Sequence, residues 1–491
     1  MPFPRKGATR GYRHSLNWLE TWSSGCCPGS THSPGASVLT QPTLDRSLRL
    51  NSIVLFGLAY MAPMIVLGTF GAIAEQTKGA VPSAYLVALA AMLFTAHSYG
   101  RMSAAYPVAG SAYTYVRRAI DSRMGFLVGW ATLLDYFFLP MVIWLIGATY
   151  LQQGFPGTPL WLWAVGFIVL STILNVVGIK MADRVNFVLM TVQILVIIAF
   201  VVLSLREVYV ARGASAWFST VPFANKDTTL GAIAGGAGIA AYSFLGFDAV
   251  TTLTEETIEP RRTMPKAIML IALFGGMIFV VVTYATQLVH PGGQFANPDS
   301  AAFEIAKTIG ANLFAAIFLA GFVVTQFAAG IAAQASVSRL LYAMGRDGVL
   351  PRKVFAYLQP KFHTPAMGIL ICGIAGLIGL TLNVGTAVSL INFGAFLAFT
   401  SVNACVIALF IRRRHSGSPL GVLGYAVLPA IGVIIDLYLL YSLGGLAKLL
   451  GLGWLAIGFA YLVVLTRGFQ RPPPEIDTLA AESDVEERAP A

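Results

Sequence analysis

The sequence predicts an all-α polytopic membrane protein with twelve transmembrane helices, and three observations carry that expectation. Only 11% of the 491 residues are charged and 56% are hydrophobic, less than half the charge, about 25%, with which soluble domains coat their surface. The mean hydropathy is +0.73. The apolar residues also fall in continuous runs long enough to cross a bilayer, roughly 20 residues at about 1.5 Å each. An outer-membrane barrel would instead alternate over segments of about 10 residues. These features exclude an ordinary soluble enzyme.

Residues 1–48 are polar and rich in Ser, Gly and Pro, with no run that could serve as a signal-peptide core, and they read as a disordered cytoplasmic tail. From Asn51 onward, spans are expected at 52–74, 82–100, 124–151, 160–179, 185–205, 229–253, 266–289, 313–338, 366–382, 385–411, 419–443 and 447–466. Residues 49–411 then form a ten-helix core, and 412–466 hold two accessory helices. Residues 467–491 contain Pro472-Pro473-Pro474 and six acids and read as a disordered acidic tail.

The net charge of +10 comes from 32 basic and 22 acidic residues. The Lys and Arg lie between the apolar runs, with no basic stripe interleaved with aromatics, and an excess kept on one side of the lipid bilayer gives a basic chain without a nucleic acid or other anionic partner. With the N-terminus in the cytoplasm, 26 basic residues fall inside and 6 outside, which places both termini in the cytoplasm. Cys26 and Cys27 sit in the tail and Cys372 and Cys405 in apolar runs, so no disulfide framework or metal spacing is present. The sequence is compatible with a homo-oligomer without specifying one.

Two spans look alike. The first contains Gly57, Pro63, Gly68 and Gly71, and the sixth contains Gly231, Gly235, Gly236, Gly238 and Gly246. Such interruptions in corresponding segments of two halves point to broken helices around a transporter's central site. Spans 1–5 and 6–10 would be the two repeats, and an odd repeat length inverts the second copy. Small residues can also serve close helix packing alone.

Charge in a bilayer core is costly, so intramembrane ionisable residues are functional candidates. Asp248 follows Gly246 in the sixth span, Asp135 lies in the third, and Asp436 lies in the eleventh. A break before Gly246 would leave partially negative carbonyls at the end of a half-helix. With the Asp248 carboxylate one turn away, the pair would suit a cation, and a shielded carboxylate can also exchange a proton. The alternative for Asp248 is a helix cap, and for Asp135 a bond to its neighbours. Glu255 and Glu256 are expected to meet Arg101, Arg117 or Arg118 as a gate or a plain salt bridge. Asp436 and His97 read as structural. No nucleotide-binding loop, metal-ligating cluster or catalytic constellation appears, so no cofactor or metal is implied and transport would run on an ion gradient or exchange.

Four motifs carry a resemblance. They are Pro107-Val108-Ala109-Gly110-Ser111-Ala112-Tyr113-Thr114-Tyr115, Gly129-Trp130, Phe247-Asp248-Ala249-Val250-Thr251-Thr252-Leu253-Thr254-Glu255-Glu256, and Ser338-Arg339-Leu340-Leu341-Tyr342-Ala343-Met344-Gly345-Arg346-Asp347-Gly348. With them the chain resembles the amino acid–polyamine–organocation permeases over roughly 49–466. It looks most like the bacterial proton-coupled putrescine importers through Gly57-Leu58-Ala59-Tyr60-Met61-Ala62-Pro63-Met64, Leu133-Leu134-Asp135-Tyr136-Phe137-Phe138-Leu139-Pro140 and the segment Tyr242–Glu256.

The resemblance implies the inverted five-plus-five fold, alternating access, and a multi-pass protein of a bacterial inner membrane. It implies a substrate site formed by Tyr60, Met61, Ala62, Pro63, Asp135, Tyr136, Tyr242, Ser243, Gly246 and Asp248, with Tyr242 as an aromatic gate and proton coupling at Asp248 and Glu255. Two positions depart from relatives: Gln193 stands where some have a lysine in helix 5, and Ala333-Gln334 where exchangers have a tryptophan in helix 8. At the first break, Pro63 lacks an N–H and Ala62 is expected not to reach the φ values open to glycine, so a substrate carboxylate would be short of donors. The expected function is therefore proton symport of a small organic cation, most of all putrescine. An amino-acid importer or exchanger of the same fold is the alternative, and a receptor on that scaffold or a membrane-embedded enzyme has less support.

Overall fold

The computed structural model describes residues 46–107, 112–178, 183–254, 256–346, 348–362, 364–415 and 420–474. In chain order, α1 (Leu50–Tyr60), α2 (Ile65–Gly68) and α3 (Phe70–Thr77) make up the first span, and α4 (Val81–Ala105) the second. A short helix, α5 (Ala112–Ala119), precedes α6 (Ser122–Gly154), α7 (Leu160–Val177) and α8 (Asp183–Arg212), the third to fifth spans. The sixth is α9 (Leu230–Ala240) continued by 3-10 segments at Ala241–Phe244 and Ala249–Leu253. Then come α10 (Pro260–Val289), α11 (Ala301–Arg346), the short α12 (Arg352–Phe355), α13 (Ala366–Gly376), α14 (Val384–His415), α15 (Leu428–Ser442) and α16 (Gly445–Leu465).

Among the described residues, eleven helices are long and apolar enough to cross a membrane. The ninth expected span is the shorter apolar helix Ala366–Thr381, below the roughly 20 residues of a full crossing. The eighth is preceded by a further helical stretch from Ala301, set off from it by non-helical dihedrals at Gly310 and Ala311, and only the stretch after that kink is the expected span.

Two further boundaries move. Ser47 and Leu48 donate their N–H groups to Glu256 O at 2.9 Å, and Leu48 O accepts from Ile258, so residues placed in the N-terminal tail are pinned to the end of the sixth span. Past the twelfth span, Arg123 donates to Phe469 O at 2.8 Å and lies over the Phe469 ring, so the chain is held beyond Arg467. Residues 1–45 and 475–491 of the expected tails fall outside the described residues.

The first and sixth spans are both interrupted, as the Gly and Pro pattern predicts. Around each break, neighbouring helices take up the orphaned backbone groups. Tyr150 of α6 donates its hydroxyl to Leu67 O at 2.6 Å. Asn392 of α14 donates to Gly238 O at 2.7 Å and Ile239 O at 3.4 Å at the end of α9. The Tyr85 hydroxyl of α4 bonds Ser243 Oγ at 2.8 Å and Thr69 Oγ1 at 3.2 Å, tying the second span to both breaks. The C-terminal helix α16 is fixed to α6 by reciprocal bonds, Trp130 Nε1–H to Trp454 O at 2.9 Å and Trp454 Nε1–H to Trp130 O at 2.8 Å, with their rings stacked at 5.1 Å.

Candidate functional site

A narrow pocket of about 90 Å³ lies where the two breaks face α6 and α11. Its walls include Tyr60, Met61 and Ala62 from the first break, Asp135 and Tyr136 from the third span, and Tyr242, Gly246 and Asp248 from the sixth. Two of the expected residues are elsewhere. Pro63 does not line the pocket, and the fully buried Ser243 turns its hydroxyl to Tyr85. Glu255 lies outside the described residues. Arg101, expected to meet the acids at the end of the sixth span, instead stacks over the Tyr425 ring at 4.6 Å.

The first break corrects one expectation. Ala62 does take the left-handed region, at φ +47°, a conformation that costs an L-residue roughly 1–2 kcal/mol. The turn is closed on both sides: Ala62 N–H donates to Ala59 O at 3.1 Å, and Ile65 N–H to Ala62 O at 2.8 Å. Such strain persists where the surroundings over-determine the backbone. Few N–H donors nevertheless remain at this break. Ala62 and Ile65 are engaged within the turn, Pro63 has no N–H, and Met64 N–H points to Gln193 Oε1 at 3.5 Å.

The sixth break corrects another. The carbonyls expected to face a cation are largely taken: Gly238 and Ile239 by Asn392, Tyr242 by Leu245 N–H, and Phe244 by Phe247 N–H. The acidic groups of the pocket are the two carboxyls, Asp135 and Asp248. Asp248 makes no side-chain capping bond to the 3-10 segment it precedes, so the capping alternative does not hold here.

Sequence reasoning missed Gln326 and Ala329, the α11 residues that reach the pocket, along with Ile65, Leu139, Ile143 and Leu245. Gln326 was legible as an intramembrane amide, but attention to ionisable groups passed over it. Gln334, at the position where exchangers have a helix-8 tryptophan, lies outside the pocket and bonds Asn175, Thr172 and Ile369 O at 2.9–3.1 Å.

An amino acid permease family profile matches residues 52–466. The chain belongs to the amino acid permease family. The permease is 40% identical to the low-affinity putrescine importer PlaP of Escherichia coli over 439 residues, 89% of this chain and 97% of that one. It is 26% identical to the branched-chain amino acid permease BcaP of Bacillus subtilis, covering 88% and 95% of the two chains. It is 27% identical to the methylthioribose transporter of the same organism, covering 85% and 92%. The permease is a multi-pass membrane transporter, and the pocket between its interrupted spans is the candidate substrate site.

Proposed function

We propose that the permease imports a small organic dication of the putrescine type by proton symport across a bacterial inner membrane, with both termini cytoplasmic. One observation carries the reading: Asp135 and Asp248 line the same narrow pocket, and among the described residues no Lys, Arg or His lines it with them. Two carboxylates shielded from water need protons or a cationic partner. A short diamine offers an ammonium to each, with the tyrosine rings of Tyr60, Tyr136 and Tyr242 adding cation–π attraction.

The first break supports the same choice. An amino acid brings a carboxylate that needs free N–H donors, and the N–H groups from Ala62 to Ile65 are engaged or absent. An ionised group left short of partners costs about 1–3 kcal/mol, about one to two decades in affinity. The putrescine importer among the relatives agrees with this reading, while the branched-chain permease keeps an amino-acid importer of the same fold as the second reading.

The test is uptake of labelled putrescine into proteoliposomes with and without an imposed pH gradient, followed by competition. Gradient-dependent uptake is expected, with putrescine and cadaverine competing far better than ornithine and lysine, which differ from them by one carboxylate. Equal competition by the amino acids would promote the second reading, and uptake indifferent to the gradient would remove the proton.

A further inference from the structure

Asp436, read from the sequence as structural, has no exposed surface, and neither has the pair of side chains bonded to it, Thr95 of α4 and Asn403 of α14. Thr95 Oγ1–H donates to Asp436 Oδ2 at 3.0 Å, and Asn403 Nδ2–H donates to the same oxygen at 2.9 Å and to Thr95 Oγ1 at 3.1 Å. The other oxygen, Oδ1, is buried with no hydrogen-bond partner among the described residues, and so is Asn403 Oδ1.

An ionised Asp436 would be a full charge in an apolar interior, held by two neutral donors on one oxygen. That is far short of what a buried carboxylate requires. Nothing on the surrounding helices compensates it. Of the elements packed against α15, α9 has no titratable residue. On α4, His97 bonds Gly424 O and Arg101 stacks on Tyr425, three turns from Asp436 along the eleventh span, and Tyr99 packs edge-on against Phe247. On α14, Asn403 is the group that meets it. A single proton on Oδ1 removes the charge and makes the orphaned acceptor a donor.

The same cluster is joined to the pocket by packed side chains. Tyr99 lies one turn from Thr95 on α4, and Phe399 one turn from Asn403 on α14. Both rings clasp Phe247, the residue before Asp248, with centroids 5.7 Å and 5.5 Å away. Asn392, which holds the broken end of α9, is eleven residues before Asn403, about three turns and so on the same helix face. Movement of the sixth-span break therefore bears on the two groups that donate to Asp436.

We infer that Asp436, with Thr95 and Asn403, is a second proton-binding site of the permease, loaded in this conformation and unloaded to water during the transport cycle. The inference rests on the proton-symport reading above. In proteoliposomes of the full-length protein with the membrane potential clamped, the reversal potential for putrescine uptake gives the proton-to-substrate ratio. Asp436→Asn, nearly isosteric and unable to titrate, is expected to lower that ratio by one. Thr95→Val removes a donor to the charged form, so the proton is held to higher pH, and half-maximal uptake should move up by about one pH unit. Wild-type uptake indifferent to a pH gradient overturns both readings. Gradient-driven wild-type uptake with the ratio unchanged in a monodisperse Asp436→Asn protein overturns this one alone and leaves Asp436 a structural acid. If Asp436→Asn does not fold, an unshifted pH profile in Thr95→Val has the same force.

Discussion

Gly246 turns the sixth span against the ring of Tyr60, the last residue of α1. It does so at φ +102°, and a Cβ placed there would overlap Tyr60 Cδ1. Through this contact the two interrupted spans meet at the wall of the pocket, and only glycine supplies both the backbone angle and the missing side chain.

Gly246→Ala is expected to lower stability by about 1–3 kcal/mol from backbone strain alone, with a further loss from the collision. Adding Tyr60→Ala should return the steric part and leave the strain. Thermal unfolding of the purified single and double variants measures the split. A Gly246→Ala protein as stable and active as wild type would show that the close approach is not required.

The two pocket acids should separate by role. Asp248→Asn is expected to abolish gradient-driven uptake, since it removes the charge and the titratable proton beside the sixth-span break. Asp135→Asn should weaken the diamine by roughly two orders of magnitude, the scale of an unpaired buried charge, and weaken a monoamine competitor much less. Uptake assays with both competitors check this, and identical losses for diamine and monoamine would argue against Asp135 receiving a second ammonium.

The reciprocal Trp130–Trp454 bonds predict a graded series for helix α16. Trp454→Phe keeps ring stacking and loses the indole donor to Trp130 O, about 1 kcal/mol. Trp454→Ala also loses the packing, about 3–5 kcal/mol. Melting curves of the detergent-solubilised variants should follow that order, and an unshifted Trp454→Ala curve would mean that α16 is held elsewhere.

Orientation is testable without substrate. Reporter fusions at Gly157, between α6 and α7, and at Asn383, before α14, should read periplasmic, and a fusion at Arg413 cytoplasmic. A cytoplasmic reading at Gly157 would break the expected order of spans.

The sequence by itself determined the class and the location of the breaks. A chain with this little charge must put its apolar runs in lipid, where the backbone has to satisfy itself within helices. Glycine and proline in spans 1 and 6 mark where that ladder fails, and Asp135 and Asp248 were visible because so few acids lie in apolar runs. Tertiary structure decided what answers those failures. That Asn392, 154 residues from Gly238, would cap α9, that Ala62 would be held left-handed, and that Ser243 would turn to Tyr85 depend on which helices lie side by side. Spacing along one chain does not encode that adjacency. Asp436 is the clearest case: in sequence it is a lone acid in an accessory span, and its proton chemistry exists only because Thr95 and Asn403, from two other helices, arrive at one of its oxygens and leave the other bare.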